Sequence, residues 1–346
     1  MANLENSEIS EHRASADSGA DAASVEAGYD AVRRAAGVRV LDGRVLVRVI
    51  GDDRVSFFHG MCSADVKSAK PGSVLPALIL TEHAHVIADL FIWVIDDALL
   101  LELDADAWTR TRAHLERLLV ADDVEFEDVS DVSMIDIEGP RALDAARSIS
   151  AINEKTGGDS AASLAEWRSV NVGDLRIANL PRVGAPGVSI IAPRAQVESI
   201  VGNVLESIPD SRRIDSGVIE AIRIENGIAR IGVDTSDKTI ALEARLERAI
   251  SFNKGCYLGQ ETIERATARG GLKKRMFGIK FDGPAPSAGA TLSLGGKTVG
   301  SVSSAIRSPR LGAIGLAILH HSAWQPGTEL KVGENGTAVV AELPFK

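Results

Sequence analysis

The chain has 346 residues, 45% hydrophobic and 25% charged, enough for two or three soluble domains with cores of their own. A net charge of −10 argues against a broad nucleic-acid footprint, because such binding neutralises phosphates with Lys and Arg. Only Cys62 and Cys256 are present, too few for a disulfide framework, so free thiols in a reducing compartment are expected.

Residues 1–34 are acidic, small and polar, and read as a disordered tail. No apolar run reaches about 18 residues and no signal pattern opens the chain, so a cytoplasmic location and no membrane contact are expected. Aromatic residues are 4% of the chain, which leaves the cores to Val, Ile, Leu and Ala. Arg44–Ile50 reads as a strand, followed by a short helix capped at Gly51-Asp52-Asp53 and carrying Val55, Phe58 and Met61. Ala77–Leu80, Val86–Ile95 and Ala98–Leu103 are β-prone runs separated by the polar turns 82–85 and 96–97. Asp104 or Asp106 then caps a helix through Trp108, Leu115, Leu118 and Leu119.

Val124–Val129 and Val132–Ile137 follow as strands, Pro140–Ile149 as a helix with Pro in its first turn, and 151–164 as a loop. Arg176–Leu180 and Val188–Ile191 are strands, Ala195–Ile208 a helix, and Ser216–Ile228 an amphipathic helix through Val218, Ile219, Ile222 and Ile224. After Gly271 the texture changes to short strands: Met276–Phe281, Thr291–Leu294, Lys297–Val302, Ala313–Leu319, Glu329–Val332 and Thr337–Leu343. Their spacing predicts a small antiparallel barrel or sandwich, and the mixture upstream predicts an α+β class rather than a long parallel sheet.

Chemistry concentrates in residues 252–261, where Gly255 and Gly259 flank Cys256 and Lys254 stands two residues before it. A nearby lysine favours the thiolate, the reactive form of cysteine. Read from the residues alone, this is a reactive thiol on a tight loop or a structural cysteine in a glycine turn. The basic residues Arg265, Arg269, Lys273, Lys274 and Arg275 read as a phosphate, polyglutamate or RNA contact, or as a solvated linker. The pairs His83/His85 and His320/His321 lack a third ligand at fitting spacing, so no metal site is expected.

Lys254-Gly255-Cys256-Tyr257-Leu258-Gly259-Gln260-Glu261 resembles the signature of the YgfZ-type folate-binding proteins, a branch of the glycine-cleavage T-protein (aminomethyltransferase-like) superfamily. Arg223 through Gly227, Asp234 through Ala244, Phe57 through Val66 and Gly300 through Ser304 are similar to other stretches of that superfamily. The resemblance implies a three-domain fold around a central folate cavity. Its parts would be a discontinuous folate-binding domain (35–120 and 210–270), a ferredoxin-like middle domain (121–209) and a C-terminal antiparallel β-barrel (271–346). It implies tetrahydrofolate or a derivative as cofactor, with Glu243, Glu225, Arg223, Tyr257 and Asp89 as cofactor-binding residues, and Cys256 with Lys254 as the catalytic pair. Glu243 is the first candidate for the pterin's donor edge, since a carboxylate accepts two parallel N–H bonds. Where the aminomethyltransferases carry Asp-Asp-Leu, this chain reads Ala88-Asp89-Leu90, and Asp89 is expected to face away from the missing first carboxylate. The implied function is an accessory factor for assembly or repair of iron–sulfur proteins, including tRNA-thiolating enzymes. Its partners would be those proteins or their assembly factors. The alternatives are a tetrahydrofolate-dependent one-carbon transferase and a direct tRNA-binding modifier.

Overall fold

The structure is a computed structural model and describes residues 22–153, 164–268 and 271–346. Most of the expected tail, part of the loop 151–164 and Arg269 lie outside the described residues.

Two sheets are stacked face to face. The first has six strands: β1 (Gly37–Val40), β7 (Val132–Glu138), β8 (Ser169–Val172), β9 (Leu175–Asn179), β10 (Gly187–Pro193) and β11 (Arg212–Arg213), in the order β11-β1-β7-β10-β9-β8. Successive side chains alternate between the two faces of a strand. Ile135 and Ile137 of β7 and Val188 and Ile190 of β10 therefore share one face. They pack there with Ala145 and Ile149 of α4 (Ala142–Asn153) and Ile200 and Val204 of α5 (Val197–Ser207). Met134, Asp136 and Glu138 take the opposite face.

The second sheet has five strands: β2 (Arg44–Ile50), β3 (Val74–Leu80), β4 (Val86–Val94), β5 (Leu99–Asp104) and β6 (Glu125–Val129), in the order β3-β4-β5-β2-β6. Ala88, Leu90 and Ile92 of β4 meet Phe57 and Phe58 of α2 (Arg54–Met61) and Trp108 and Leu115 of α3 (Ala105–Leu118) in its outer core. Its inner face carries Leu46, Phe91, Trp93 and Leu100, which pack on Met134, Ala178, Leu180 and Ile191 of the six-stranded sheet. Each fully buried side chain of this size contributes on the order of 1.5–3 kcal/mol. Helices thus cover the outside, and the inner faces meet across a gap that is apolar at one end only.

The third unit is a closed barrel of β12 (Lys274–Asp282), β13 (Thr291–Leu294), β14 (Lys297–Ser308), β15 (Gly312–His320), β16 (Glu329–Val332) and β17 (Gly336–Ala341), in the order β12-β15-β14-β13-β16-β17. Phe277, Ile279, Leu292, Val302, Ala317, Leu330 and Val340 fill it. β14 runs beyond the expected Val302 to Ser308, because one end pairs with β13 and the other with β15.

Several expectations change. Ala22–Arg34 is a helix, α1, not part of a tail. Its sparse apolar stripe, Val25, Tyr29 and Val32, packs on Val218 and Ile222 of α6 (Ser216–Asn226), and polar residues elsewhere on the helix hid the period. The sheets cut across the expected boundary at 120: β1 pairs with β7, and β6 pairs with β2. Asp104 and Asp53 stand at helix N-caps without capping through their side chains. Asp104 is taken by Arg44 at 3.0 Å, and Asp53 accepts from the Asp123 amide at 2.9 Å. Asp215 does cap α6, accepting from the Val218 amide at 3.0 Å. The segment after Gly259 is a helix, α7 (Gln260–Ala268).

Candidate functional site

The signature loop is anchored by its lysine. Lys254 is buried, and its Nζ donates to the carbonyls of Cys62 and Ala64, each at 2.8 Å, and to that of His59. These are acceptors at and just beyond the C-terminal end of α2, which the helix itself leaves unpaired. The ammonium also lies 4.9 Å from the centre of the Tyr257 ring. Burial lowers the Lys254 pKa, with the neighbouring Cys62 and Asp65 opposing. Gly259 has φ +88°, and a Cβ there would stand 2.7 Å from the Thr81 carbonyl, so only glycine lets the loop close on that turn.

This arrangement corrects two expectations. Lys254 is bound to carbonyls and serves as an anchor, not as the partner of the Cys256 thiol. Tyr257 is buried beneath it, with its hydroxyl pushed up to about 12 by burial, followed by Glu264 and Cys62. Cys256 itself is exposed at the tip, while Cys62 is fully buried and its thiol is pushed by burial up to about 11. His59 was missed: its Nε2 lies 3.6 Å from where a Cβ of Gly255 would be.

Arg223 and Glu225 of α6 are consumed in structural networks. Glu225 is 1% exposed and accepts from Tyr29 Oη at 2.8 and 3.0 Å, from Arg33 and from Ser308. Arg223 donates to Asp234 Oδ2 at 2.8 Å, Ser304 Oγ at 2.7 Å and the Ile228 carbonyl at 2.9 Å. Both residues tie α6 to its surroundings and have no capacity left for a ligand.

Glu243 lies in a one-turn 3₁₀ helix, Ala241–Ala244, and accepts from the Ile240 amide at 3.1 Å. With Asp234, Lys238, Lys274, Ser303 and His320 it lines a groove of about 740 Å³ between the loop from Val233 and the barrel. The basic run after α7 leaves Lys273 and Lys274 exposed, and Arg275 reaches Glu247 at 3.2 Å.

A different cluster occupies the polar end of the inter-sheet gap. Ala88 is 1% exposed and packs into the outer core, so the strand alternation turns Asp89 into the gap, on the face of Phe91 and Trp93. Asp89 is surrounded by protein yet keeps part of its surface in contact with solvent. Burial raises its pKa, with Arg44 opposing and Asp104 adding to the shift. Beside it, Glu102 accepts from Trp93 Nε1 at 3.0 Å and Arg182 Nη2 at 2.9 Å, and pairs with Arg44 at 2.8 Å. Burial would push the Glu102 carboxyl up, but Arg182 and Arg44 outweigh it and hold it at about 2. Arg182 also donates to Asp136 at 3.2 Å and Ser189 at 2.9 Å, and Arg39 reaches Asp136 at 3.0 Å. Arg248 donates to the Arg182 carbonyl at 3.2 Å and forms no ion pair among the described residues; burial lowers its pKa, opposed by Asp89 and Glu138.

The structure thus separates the expected site residues into a surface thiol loop, an interior staple, a barrel groove and a charged gap. The gap's members Glu102, Asp136, Glu138, Arg182 and Arg248 were missed. A signal existed: Leu101-Glu102-Leu103 and Ile135-Asp136-Ile137-Glu138 place carboxylates inside apolar strands, where a lone charge is costly. Among the described residues no helix is long and apolar enough to cross a membrane.

Comparison with known proteins agrees with this architecture. Residues 14–254 match the GCVT N-terminal domain, and residues 274–346 match the glycine cleavage T-protein C-terminal barrel domain. A chloroplastic protein of Arabidopsis thaliana that carries a transferase name is 28% identical over 322 residues, covering 89% of this chain and 71% of that protein. An aminomethyltransferase of Pelodictyon phaeoclathratiforme is 27% identical over 332 residues, covering 92% of this chain and 89% of its own. The crystal structure of the glycine cleavage system aminomethyltransferase T from Bartonella henselae superposes with a TM-score of 0.82 at 20% identity, over 93% of this chain and 89% of that one. The stacked sheets, the closed barrel and the two matched domains establish an α+β T-protein fold, and the chain belongs to the glycine-cleavage T-protein (aminomethyltransferase-like) family.

Proposed function

We propose that this protein binds a tetrahydrofolate in the inter-sheet gap and serves as an accessory factor for iron–sulfur proteins, with Cys256 as its acting thiol. The family uses tetrahydrofolate, a carrier of one-carbon units on nitrogen. The gap suits such a ligand: Asp89 supplies an acceptor that keeps part of its surface open to solvent, and Arg248 a guanidinium free of ion pairs among the described residues. With its raised pKa, Asp89 can hold or release a proton at its carboxyl.

The observation that carries the accessory reading is the exposed Cys256 on a loop fixed by Lys254. A thiol at a rigid tip can meet a sulfur or metal site of another protein, which a thiol inside the gap could not. tRNA enters this reading as a substrate of the thiolating enzymes served, not through the basic run. Complementation of a deletion strain tests it. Cys256→Ala should fold with an unchanged melting temperature and fail to restore iron–sulfur enzyme activity, whereas full restoration would remove the thiol role.

A second reading, one-carbon transfer, is favoured by the orientation of Asp89 toward the gap. It requires methylene-tetrahydrofolate from an aminomethyl donor and purified protein, with the product lost in Asp89→Asn. Absence of product in the wild type would remove this reading. If Glu243→Ala abolished folate binding while Asp89→Asn did not, the ligand would belong in the barrel groove.

A further inference from the structure

Glu138 is a carboxyl that the charged gap leaves without a donor. It is fully buried on β7, and no donor among the described residues reaches either of its oxygens. Asp136, another carboxyl two positions along the same strand face, is close enough to share a proton with it, but as a carboxyl it brings no N–H donor. Across the ladder it stands opposite Gly187 of β10 and Gly37 of β1. A Cβ at Gly187 would lie 2.8 Å from Glu138 Oε2, so the glycine makes the space that the carboxyl fills. Arg248 is near enough to both Asp89 and Glu138 to act on them electrostatically, yet ion-pairs with neither.

Buried polar groups are almost always satisfied, and one left unsatisfied costs about 1–3 kcal/mol. The neighbouring carboxylates show the contrast: Glu102 is ion-paired with Arg44 and Arg182 and accepts from Trp93, and Asp136 is met by Arg39, Arg182 and Ser189, whereas no cation among the described residues pairs with Glu138. The donors that Glu138 lacks can come from a ligand. Two parallel N–H groups are the geometry a carboxylate takes best.

We infer that Glu138 reads the paired N–H donors of a 2-amino-4-oxopyrimidine ring, the edge that a pterin presents, and so sets the ligand specificity of the gap. This rests on the folate reading above. Burial, and after it Asp136, raises the Glu138 pKa well above its ordinary value, against Arg39 and Arg182. The charged groups that face it are Asp136 on β7, Arg39 on β1, Arg182 in the turn after β9 and Arg248 before the signature loop. Burial and Asp136 both favour the protonated carboxyl in the free protein. Donation by a ligand favours the carboxylate, so binding releases a proton.

Titration calorimetry on the full chain tests the assignment. The titrants are 5-formyltetrahydrofolate, 6-hydroxymethylpterin and p-aminobenzoylglutamate, in two buffers of different ionisation enthalpy. The wild type should bind 5-formyltetrahydrofolate and the pterin fragment with release of a proton. Glu138→Gln should weaken both by about tenfold or more and abolish the proton release, leaving p-aminobenzoylglutamate unaffected. Glu138→Asp, which keeps a carboxyl but draws it back by one methylene, should bind with intermediate affinity and retain the proton release; it serves if the Gln variant does not fold. No binding of any folate by the wild type would overturn the folate reading, and this assignment with it. Wild-type binding matched by Glu138→Gln, with the same proton release, would overturn the assignment alone and leave Glu138 as half of a structural carboxyl pair.

Discussion

Lys254 shows how a residue suggested by sequence spacing can carry a different role in the fold. Two positions from a cysteine, it read as the group that activates a thiol; folded, it holds the carbonyls of His59, Cys62 and Ala64. Lys254→Met should cost about 2 kcal/mol in urea unfolding, because carbonyls bonded to a charged donor lose it. Equal stability would mean that water replaces the ammonium. Glu102 gives a pH test. Its folded pKa of about 2 lies below the ordinary 4.5, so between these values the unfolded chain binds more protons. Its contribution is therefore complete above about pH 4.5 and is lost as the pH falls toward 2. Glu102→Gln should lower stability at neutral pH by roughly 3–5 kcal/mol, since Arg44 and Arg182 lose a buried partner, and should flatten the acid slope. An unchanged slope in acid urea titrations would assign the acid sensitivity to other carboxyls.

At the scale of elements, the strands were legible because their apolar residues alternate. The partnerships were not, since pairing between β1 and β7 or β2 and β6 joins segments far apart in sequence. The helix α1 escaped notice because Val25, Tyr29 and Val32 give too sparse a stripe among acidic and small residues. The loop at Gly255–Gly259 was legible as a glycine turn, and its geometry bears that out at Gly259. Gly259→Ala should destabilise the protein by about 1–3 kcal/mol, as the methyl is forced against the Thr81 carbonyl at an unfavourable φ. An unaltered urea midpoint would show that the turn yields without cost.

For the whole molecule, Glu225 joins three parts: Tyr29 and Arg33 of α1, its own helix α6, and Ser308 at the end of β14. Glu225→Ala should open α1 to limited proteolysis ahead of the barrel, at a cost of roughly 1–3 kcal/mol, because the buried Tyr29 and Ser308 hydroxyls lose their acceptor. A cleavage pattern like the wild type's would deny the staple. The sequence showed the family through its motif and its barrel, yet of the carboxylates it assigned to the ligand only Asp89 faces the gap, while Glu225 is a strut and Glu243 lines the barrel groove. What no local pattern carried was the convergence of β4, β5, β7 and the turn after β9 on one gap. The inner faces of both sheets supply those charges, and only stacking brings them together.

Whether that gap takes a folate at Asp89 is tested most directly by a thermal-shift titration of the wild type, Asp89→Asn and Cys256→Ala with 5-formyltetrahydrofolate. A ligand that binds only the native state raises the melting temperature as its concentration passes its dissociation constant. The wild type and Cys256→Ala should shift alike, and Asp89→Asn should need about tenfold more ligand for the same shift. No shift in the wild type, or equal shifts in all three proteins, would contradict a folate site at Asp89.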